Sequence, residues 1–213
     1  MLAMIENNNI AAFEGCYIMQ SDDIKAFADT LADGFSEYNL FQYALSQEYD
    51  HAKMSLFWEV SIRLLGDNAI GIADRPEANS VLIYVCPKSK EPGLMSYLLG
   101  GGLKLLLKFG LRSALRLHRF NVTAQAIARR HKGDNDGYML AFATRLDKQG
   151  QRYGKPVLEA LLRYLDHTGE GCYLETLKAS NVELYRHFGF ELREEVTIKL
   201  GNLTNYAMSR VAK

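Results

Sequence analysis

The sequence predicts a mixed α/β domain, and three observations carry that expectation. The first third shows helical apolar spacing. Two short β-rich segments then lie close together ahead of residue 90. From Tyr138 onward, strand, loop and helix alternate.

The elements follow in order. Ser21-Asp22-Asp23 precedes Ile24, Phe27, Ala28 and Leu31, which is a helix N-cap followed by an apolar stripe, with Gly34 as the stop. A second helical run is expected from Ala44 to Leu65, where Leu45, Tyr49, Ala52, Leu56, Val60 and Leu64 recur at helical intervals. Gly66-Asp67-Asn68 is a turn signal. Ala69–Ala73 and Val81–Cys86 read as adjacent antiparallel strands, the second closed by Pro87 and Pro92. Leu94–Arg119 reads as a leucine-rich helix with Lys104, Lys108, Arg112 and Arg116 in a drifting stripe, bent or broken at Gly110. A separate helix is expected over Val122–His131, and Gly133–Gly137 is a loop.

The second half continues with a strand over Tyr138–Thr144, a polar loop over Arg145–Lys155, and a helix over Val157–His167. A strand over Cys172–Thr176, a short helix over Asn181–Phe188 and strands over Phe190–Leu200 and Asn205–Val211 complete the chain. No repeat or linker divides it. One domain is expected over residues 1–213, with a substrate-side portion over 1–132 and a ligand-binding core over 133–213.

Composition excludes several function classes. At 48% hydrophobic and 23% charged, the chain can bury a core and is neither disordered nor a coiled coil. Its 25 basic and 25 acidic residues cancel, so no global field points to nucleic acid. Cys16, Cys86 and Cys172 are odd in number and contain no Cys-x-x-Cys pair, which argues against a disulfide scaffold or a structural zinc site. No apolar run is long enough to span a membrane, and the opening residues, with Glu6 and Asn7–Asn9, lack a signal-peptide core. A soluble, cytoplasmic protein is expected. The charge is nonetheless segregated. Residues 1–59 carry ten acids against two lysines, a net −8, whereas residues 94–132 carry eight cations and no acid. Either the two segments pack together or present solvated faces, or they polarise the surface toward an anionic ligand.

The stretch that carries chemistry is the strand, glycine-containing loop and helix from Tyr138 to Leu165. Such a loop can turn several backbone N–H groups toward one point at a helix N-terminus, where the helix dipole favours phosphate. There is no Gly-x-x-x-x-Gly-Lys-Ser/Thr and no Gly-x-Gly-x-x-Gly followed by the acidic residue a dinucleotide site uses. The loop reads Gln149-Gly150-Gln151-Arg152-Tyr153-Gly154. After it come Tyr173-Leu174-Glu175-Thr176, then Asn181 and Tyr185, then Phe188-Gly189-Phe190.

These residues resemble the GCN5-related N-acetyltransferase superfamily, whose loop reads Gln/Arg-x-x-Gly-x-Gly/Ala. The resemblance is strong over residues 138–198. Upstream, the strand ending at Pro87, the basic leucine-rich region and His131 look like the puromycin N-acetyltransferase-like branch. Arg152 departs from the pattern, standing where a glycine is usual, and Pro156 follows the loop in the first turn of the helix, where proline is tolerated.

The resemblance implies a mostly antiparallel central sheet flanked by helices, with splayed strands forming a coenzyme A cleft between Tyr138–Thr144 and Cys172–Thr176. It implies that backbone N–H groups of Gln149, Gly150, Gln151, Arg152, Tyr153, Gly154 and Lys155 hold the pyrophosphate. Phe142, Ala143 and Thr144 would pair their backbone with the pantetheine arm, and an N–H there would polarise the thioester carbonyl. Asn181 would bond the pantetheine region. Tyr185 would protonate the departing thiolate, and Glu175 is a candidate general base. Each has a plainer reading: Tyr185 as a core aromatic beside Phe188 and Phe190, Asn181 as a helix cap, Glu175 as a salt-bridge partner. Trp58, Phe57 and Tyr49 read as core more than as pocket, and His51 and His131 as surface or lid residues.

The implied activity is direct transfer of an acetyl group from acetyl-CoA to a primary amine of a small molecule, less readily of a peptide or protein, in a ternary complex without metal. The N-terminal helices and residues 94–132 would delimit the acceptor, and the acidic first segment would suit a cationic amine. No stable membrane insertion is expected, and the protein would be a monomer or homodimer. The alternatives are a non-catalytic acyl-CoA-binding module, which Arg152 favours, and a membrane-surface protein docked through the basic helix.

Overall fold

The computed structural model describes residues 11–45, 49–89, 98–198 and 200–213. A seven-stranded sheet organises it: β1 (Tyr17–Ile18), β2 (Ala69–Ala73), β3 (Ser80–Val85), β4 (Asp136–Thr144), β5 (Gly171–Thr176), β6 (Glu191–Ile198) and β7 (Leu203–Arg210). Their order is β1-β2-β3-β4-β5-β7-β6, and β4 with β5 is the only parallel pair among them. The helices are α1 (Ile24–Gly34), α2 (Asn39–Leu45), α3 (His51–Leu65), α4 (Leu103–His131), α5 (Gly154–Thr168) and α6 (Ala179–His187).

Alternation along β3 sorts the two faces. Val81 and Ile83 pack with Phe27, Leu31 and Met54 of α1 and α3, while Leu82 and Tyr84 pack with Leu158, Leu161 and Leu165 of α5. Burying each such leucine contributes about 1.5–3 kcal/mol, so the sheet is held from both sides. Gly34 ends α1, but its importance is contact. A β-carbon there would stand 2.7 Å from Cβ of Ala143, so the helix end lies directly on the end of β4.

The expected helix from Ala44 to Leu65 is two helices. Asp50 stands between them and accepts the Lys53 backbone N–H on its side chain at 3.0 Å, an N-cap that begins α3 afresh. The expected break between Arg119 and Val122 is absent, because Phe120, Ala124 and Ile127 lie at helical spacing and are all buried, which keeps that arm of α4 continuous. The break falls at Gly110 alone, whose φ of 78° is open to glycine at little cost. Leu94 and Pro92 lie outside the described residues.

The oppositely charged segments meet at Arg116. Arg116 donates to the Tyr43 carbonyl at 3.3 Å and sits over its ring. Among the described residues, Lys104, Lys108, Arg112 and Arg119 pair with none of the N-terminal acids. Arg130 and His131 instead bind Glu194 of β6, at 2.7 Å and 2.6 Å, which places His131 in a surface ion cluster.

Candidate active site

The site begins with a fault in the sheet. β4 carries one extra residue, Leu140, between Ala141 opposite Ile83 and Met139 opposite Tyr84. Its pairing with β5 ends at the same point, Met139 with Leu174. Beyond it the two strands separate, and β4 from Leu140 to Thr144 has an open edge. The Arg145 N–H bonds the Asn79 carbonyl and Ala143 O accepts from Ser80, so odd-numbered residues here face β3. By alternation, Phe142 and Thr144 turn their backbone groups to the open edge, where Gln149 Nε2 takes the Thr144 carbonyl at 3.1 Å. Ala143 therefore contributes its place in the strand, not an open-edge group.

The loop after β4 is pinned from α1. Asp33 accepts the Leu146 N–H at 2.7 Å, and Arg145 reaches Thr30 at 3.1 Å. Within the loop the N–H groups of Gln149, Gln151 and Lys155 are used in its own turns. Those of Gly150, Arg152, Tyr153 and Gly154 have no partner among the described residues, and they run into the first turn of α5, which Gly154 begins. Arg152 adopts φ 66° and Gly150 φ 74°. The left-handed backbone at 152 explains why glycine suits that place, and an arginine there costs roughly 1–2 kcal/mol. Tyr153 lies under Arg75, and Lys155 pairs with Glu159. Gly154 is not in the left-handed region. Its constraint is space, since a β-carbon would meet Phe142 Cζ at 2.9 Å and Thr144 Oγ1 at 3.3 Å.

Where β4 and β5 part, a cavity of about 680 Å³ opens between the sheet and helices α2, α3 and α4. Phe142, Glu175, Asn181 and Tyr185 all line it. Asn181 does not cap α6, whose N-cap is Lys178. It is the third helical residue, and its Nδ2 donates to Thr176 Oγ1 at 3.0 Å. Tyr185, one turn on, is buried edge-on to Phe190 at 5.7 Å, so its ring belongs to the core and also forms part of the cavity wall. Its hydroxyl makes no hydrogen bond among the described residues, and burial pushes the phenol well above its ordinary range. Glu175 accepts from the Tyr173 hydroxyl at 2.8 Å and pairs with no cation among the described residues, so the salt-bridge reading finds no partner there. Burial raises its carboxyl, against the lowering effect of Tyr173 and of the nearby Asn205 amide, although that amide meets no partner in hydrogen-bond geometry.

The cavity brings in residues that no local motif marks. Tyr38 accepts the Leu177 N–H at 2.8 Å, fixing the end of β5. Tyr138 stacks on Tyr173 with ring centres 6.0 Å apart. Asn205 shares the inward parity of Leu203 and Ala207 on β7, and a polar residue at an inward strand position was the one signal available for it. Trp58 and Phe57, read as core, line the cavity. Tyr49 does not; it bonds the Ala32 carbonyl. Among the described residues none of the N-terminal acids lines the cavity, where Glu175 is the sole carboxylate. Burial pushes the Cys172 thiol up to about 12, unlike a reactive cysteine.

A mixed sheet whose parallel pair splays at a bulge, with an amide-bearing loop entering a helix beside it, is the fold of the GCN5-related N-acetyltransferases. No family model matches the chain, and no curated protein matches it. Solved structures do. A "histone acetyltransferase HPA2 and related acetyltransferase" from Corynebacterium glutamicum is similar at a TM-score of 0.70 and 18% identity, covering 93% of this chain and 96% of that one. The C-terminal condensation domain of Ebony, solved with beta-alanyl-dopamine, gives 0.65 at 10% identity over 92% and 98% of the two chains. An agmatine N-acetyltransferase gives 0.60 at 11% identity over 93% and 100%. These neighbours mark the superfamily fold and not the narrower puromycin-type branch.

Proposed function

We propose that the chain is a single-domain N-acyltransferase that moves an acetyl group from acetyl-CoA to a primary amine of a small molecule by direct attack in a ternary complex. The observation that carries this reading is the convergence, at one splayed strand pair, of an open β4 edge, a loop with free amides and an unbonded tyrosine hydroxyl.

The residues present fit coenzyme A. The N–H groups of Gly150, Arg152, Tyr153 and Gly154 suit a pyrophosphate, helped by the positive end of α5. The Phe142 backbone and the open edge toward Thr144 suit an extended amide-bearing arm, with Asn181 beside it. The side-chain-free space at Gly154 keeps the two together. When bound, acetyl-CoA supplies an activated thioester. The protein supplies the proton inventory. Tyr185 holds a proton on Oη in a buried wall, ready for a leaving anion. Glu175, raised by burial, is poised to take one from the acceptor's ammonium.

Two measurements test this: calorimetric titration with CoA, and thiol release from acetyl-CoA across a panel of primary amines. Saturable CoA binding with amine-dependent release supports the enzyme. CoA binding without release on any amine would leave a binding module.

A further inference from the structure

The mechanism leaves most of the cavity unused. Its helical wall is aromatic: Trp58 lies 5.3 Å from Phe35, 5.9 Å from Phe41 and 5.2 Å from Phe57, measured between ring centres. The wall runs out to the surface along α4, where Leu103 and Leu106 line the cavity and are exposed. Lys104 and Lys108 flank those leucines, and this part of the chain has no acid, so nothing there would gather a polycation.

Against this apolar lining, three polar atoms stand out. Among the described residues, Asn205, 1% exposed, has a partner for neither its Nδ2 nor its Oδ1, and Trp58, 6% exposed, has none for its Nε1. Buried polar groups are satisfied as a rule, because an orphan loses its bonds to water and gains nothing in return. Asn205 sits on the sheet wall beside Glu175, beyond the last β5–β7 pair, Thr176 with Tyr206. Trp58 sits on the helical wall. An occupant that bonded both would recover what the fold leaves unmade.

We propose that the cavity takes, as acyl acceptor, a primary amine on an aryl or alkyl body bearing one hydrogen-bond-accepting oxygen. Asn205 Oδ1 accepts from the amine, and Trp58 Nε1 donates to that oxygen. This rests on the transferase reading for the word acceptor, but the binding claim does not need turnover.

Trp58 is the single tryptophan of the chain, so intrinsic fluorescence reports on the cavity itself. The probes are 2-phenylethylamine, its 4-methoxy derivative, spermidine and decanoyl-CoA, added to the full chain, with calorimetry in parallel. Both arylalkylamines should shift the emission saturably, the methoxy compound binding at least threefold tighter, and Trp58→Phe should erase that advantage by calorimetry. Asn205→Leu should weaken both amines at least tenfold while raising Tm, since it removes two orphaned atoms. A merely structural asparagine would lower Tm. Tighter binding of spermidine, an emission shift with decanoyl-CoA alone, or no amine binding would each overturn the proposal. Arylalkylamine binding without any CoA binding would sink the transferase reading and leave this one standing. Turnover with spermidine alone would do the reverse.

Discussion

Gly154 and Phe142 touch across the mouth of the cleft: a β-carbon on the first residue of α5 would stand 2.9 Å from Cζ of the open-edge phenylalanine of β4. The helix that offers its N-terminus and the strand that offers its edge are thus locked at a spacing only glycine permits, whatever its φ. Gly154→Ala should fold, because the ring end can give by a few tenths of an ångström, but displace Phe142 and weaken CoA at least tenfold. Gly154→Val should lose binding altogether. Calorimetry on the folded variants checks this, and unchanged affinity in Gly154→Ala would remove the loop from the pyrophosphate assignment.

Arg152 occupies a left-handed backbone position and forms no ion pair among the described residues. Glycine would relieve roughly 1–2 kcal/mol of strain, offset by about 0.5–1 kcal/mol of unfolded-chain entropy. Arg152→Gly should therefore raise Tm by up to about 6 °C. With its guanidinium free to meet a phosphate, the same change should weaken CoA binding, more at low salt than at high. Thermal melts and titrations at two salt concentrations test both signs, and tighter binding would show that the side chain obstructs the cradle.

Tyr185→Phe keeps the ring against Phe190 and deletes a hydroxyl that bonds nothing among the described residues. Stability should stay within about 0.5 kcal/mol, and CoA affinity within roughly threefold. kcat should fall about 100- to 10,000-fold. Because burial raises the phenol, the wild-type rate should not decline below about pH 10 through its ionisation. Near-full kcat on the true acceptor would leave Tyr185 as a core aromatic only.

Glu175 tests the base. Its folded-state pKa is raised, so the folded protein binds its proton more tightly than the unfolded chain does. The resulting stability is complete below the unfolded value of about 4.3, and it is lost as pH rises through the folded value. Glu175→Gln should hence be more stable than wild type at pH 7 and equal to it near pH 4. It should also lose at least tenfold in kcat and shed the acid limb of the pH–rate profile. An acid limb that survives in the glutamine variant would assign that limb to another group.

Several features were legible in the sequence because their causes are local. The strand, loop and helix from Tyr138 to Leu165 declare themselves through periodicity, and Asn181 with Tyr185 share a helix face because 3.6 residues make a turn. The break at Gly110 follows from a backbone that glycine alone adopts without strain. Where local cues competed, neighbours decided. Asp50 split one expected helix in two, and the buried Phe120 and Ile127 joined two expected helices into one.

Only the tertiary structure decided what the cavity is. Trp58 and Phe57 carry the same apolar signal whether they face a core or a pocket, since transfer from water rewards both alike. Asn205, Glu175 and Trp58 come from β7, β5 and α3, and no spacing along the chain encodes their meeting. The acids of the first segment would suit a cationic acceptor, yet none of those among the described residues lines the cavity, because a charge count records no direction. The sequence by itself determined most strands and the strand, loop and helix from Tyr138 to Leu165, which short-range hydrogen bonding and periodicity dictate. The cavity was settled by which walls the splayed sheet and the broken α4 bring face to face, a matter of long-range packing.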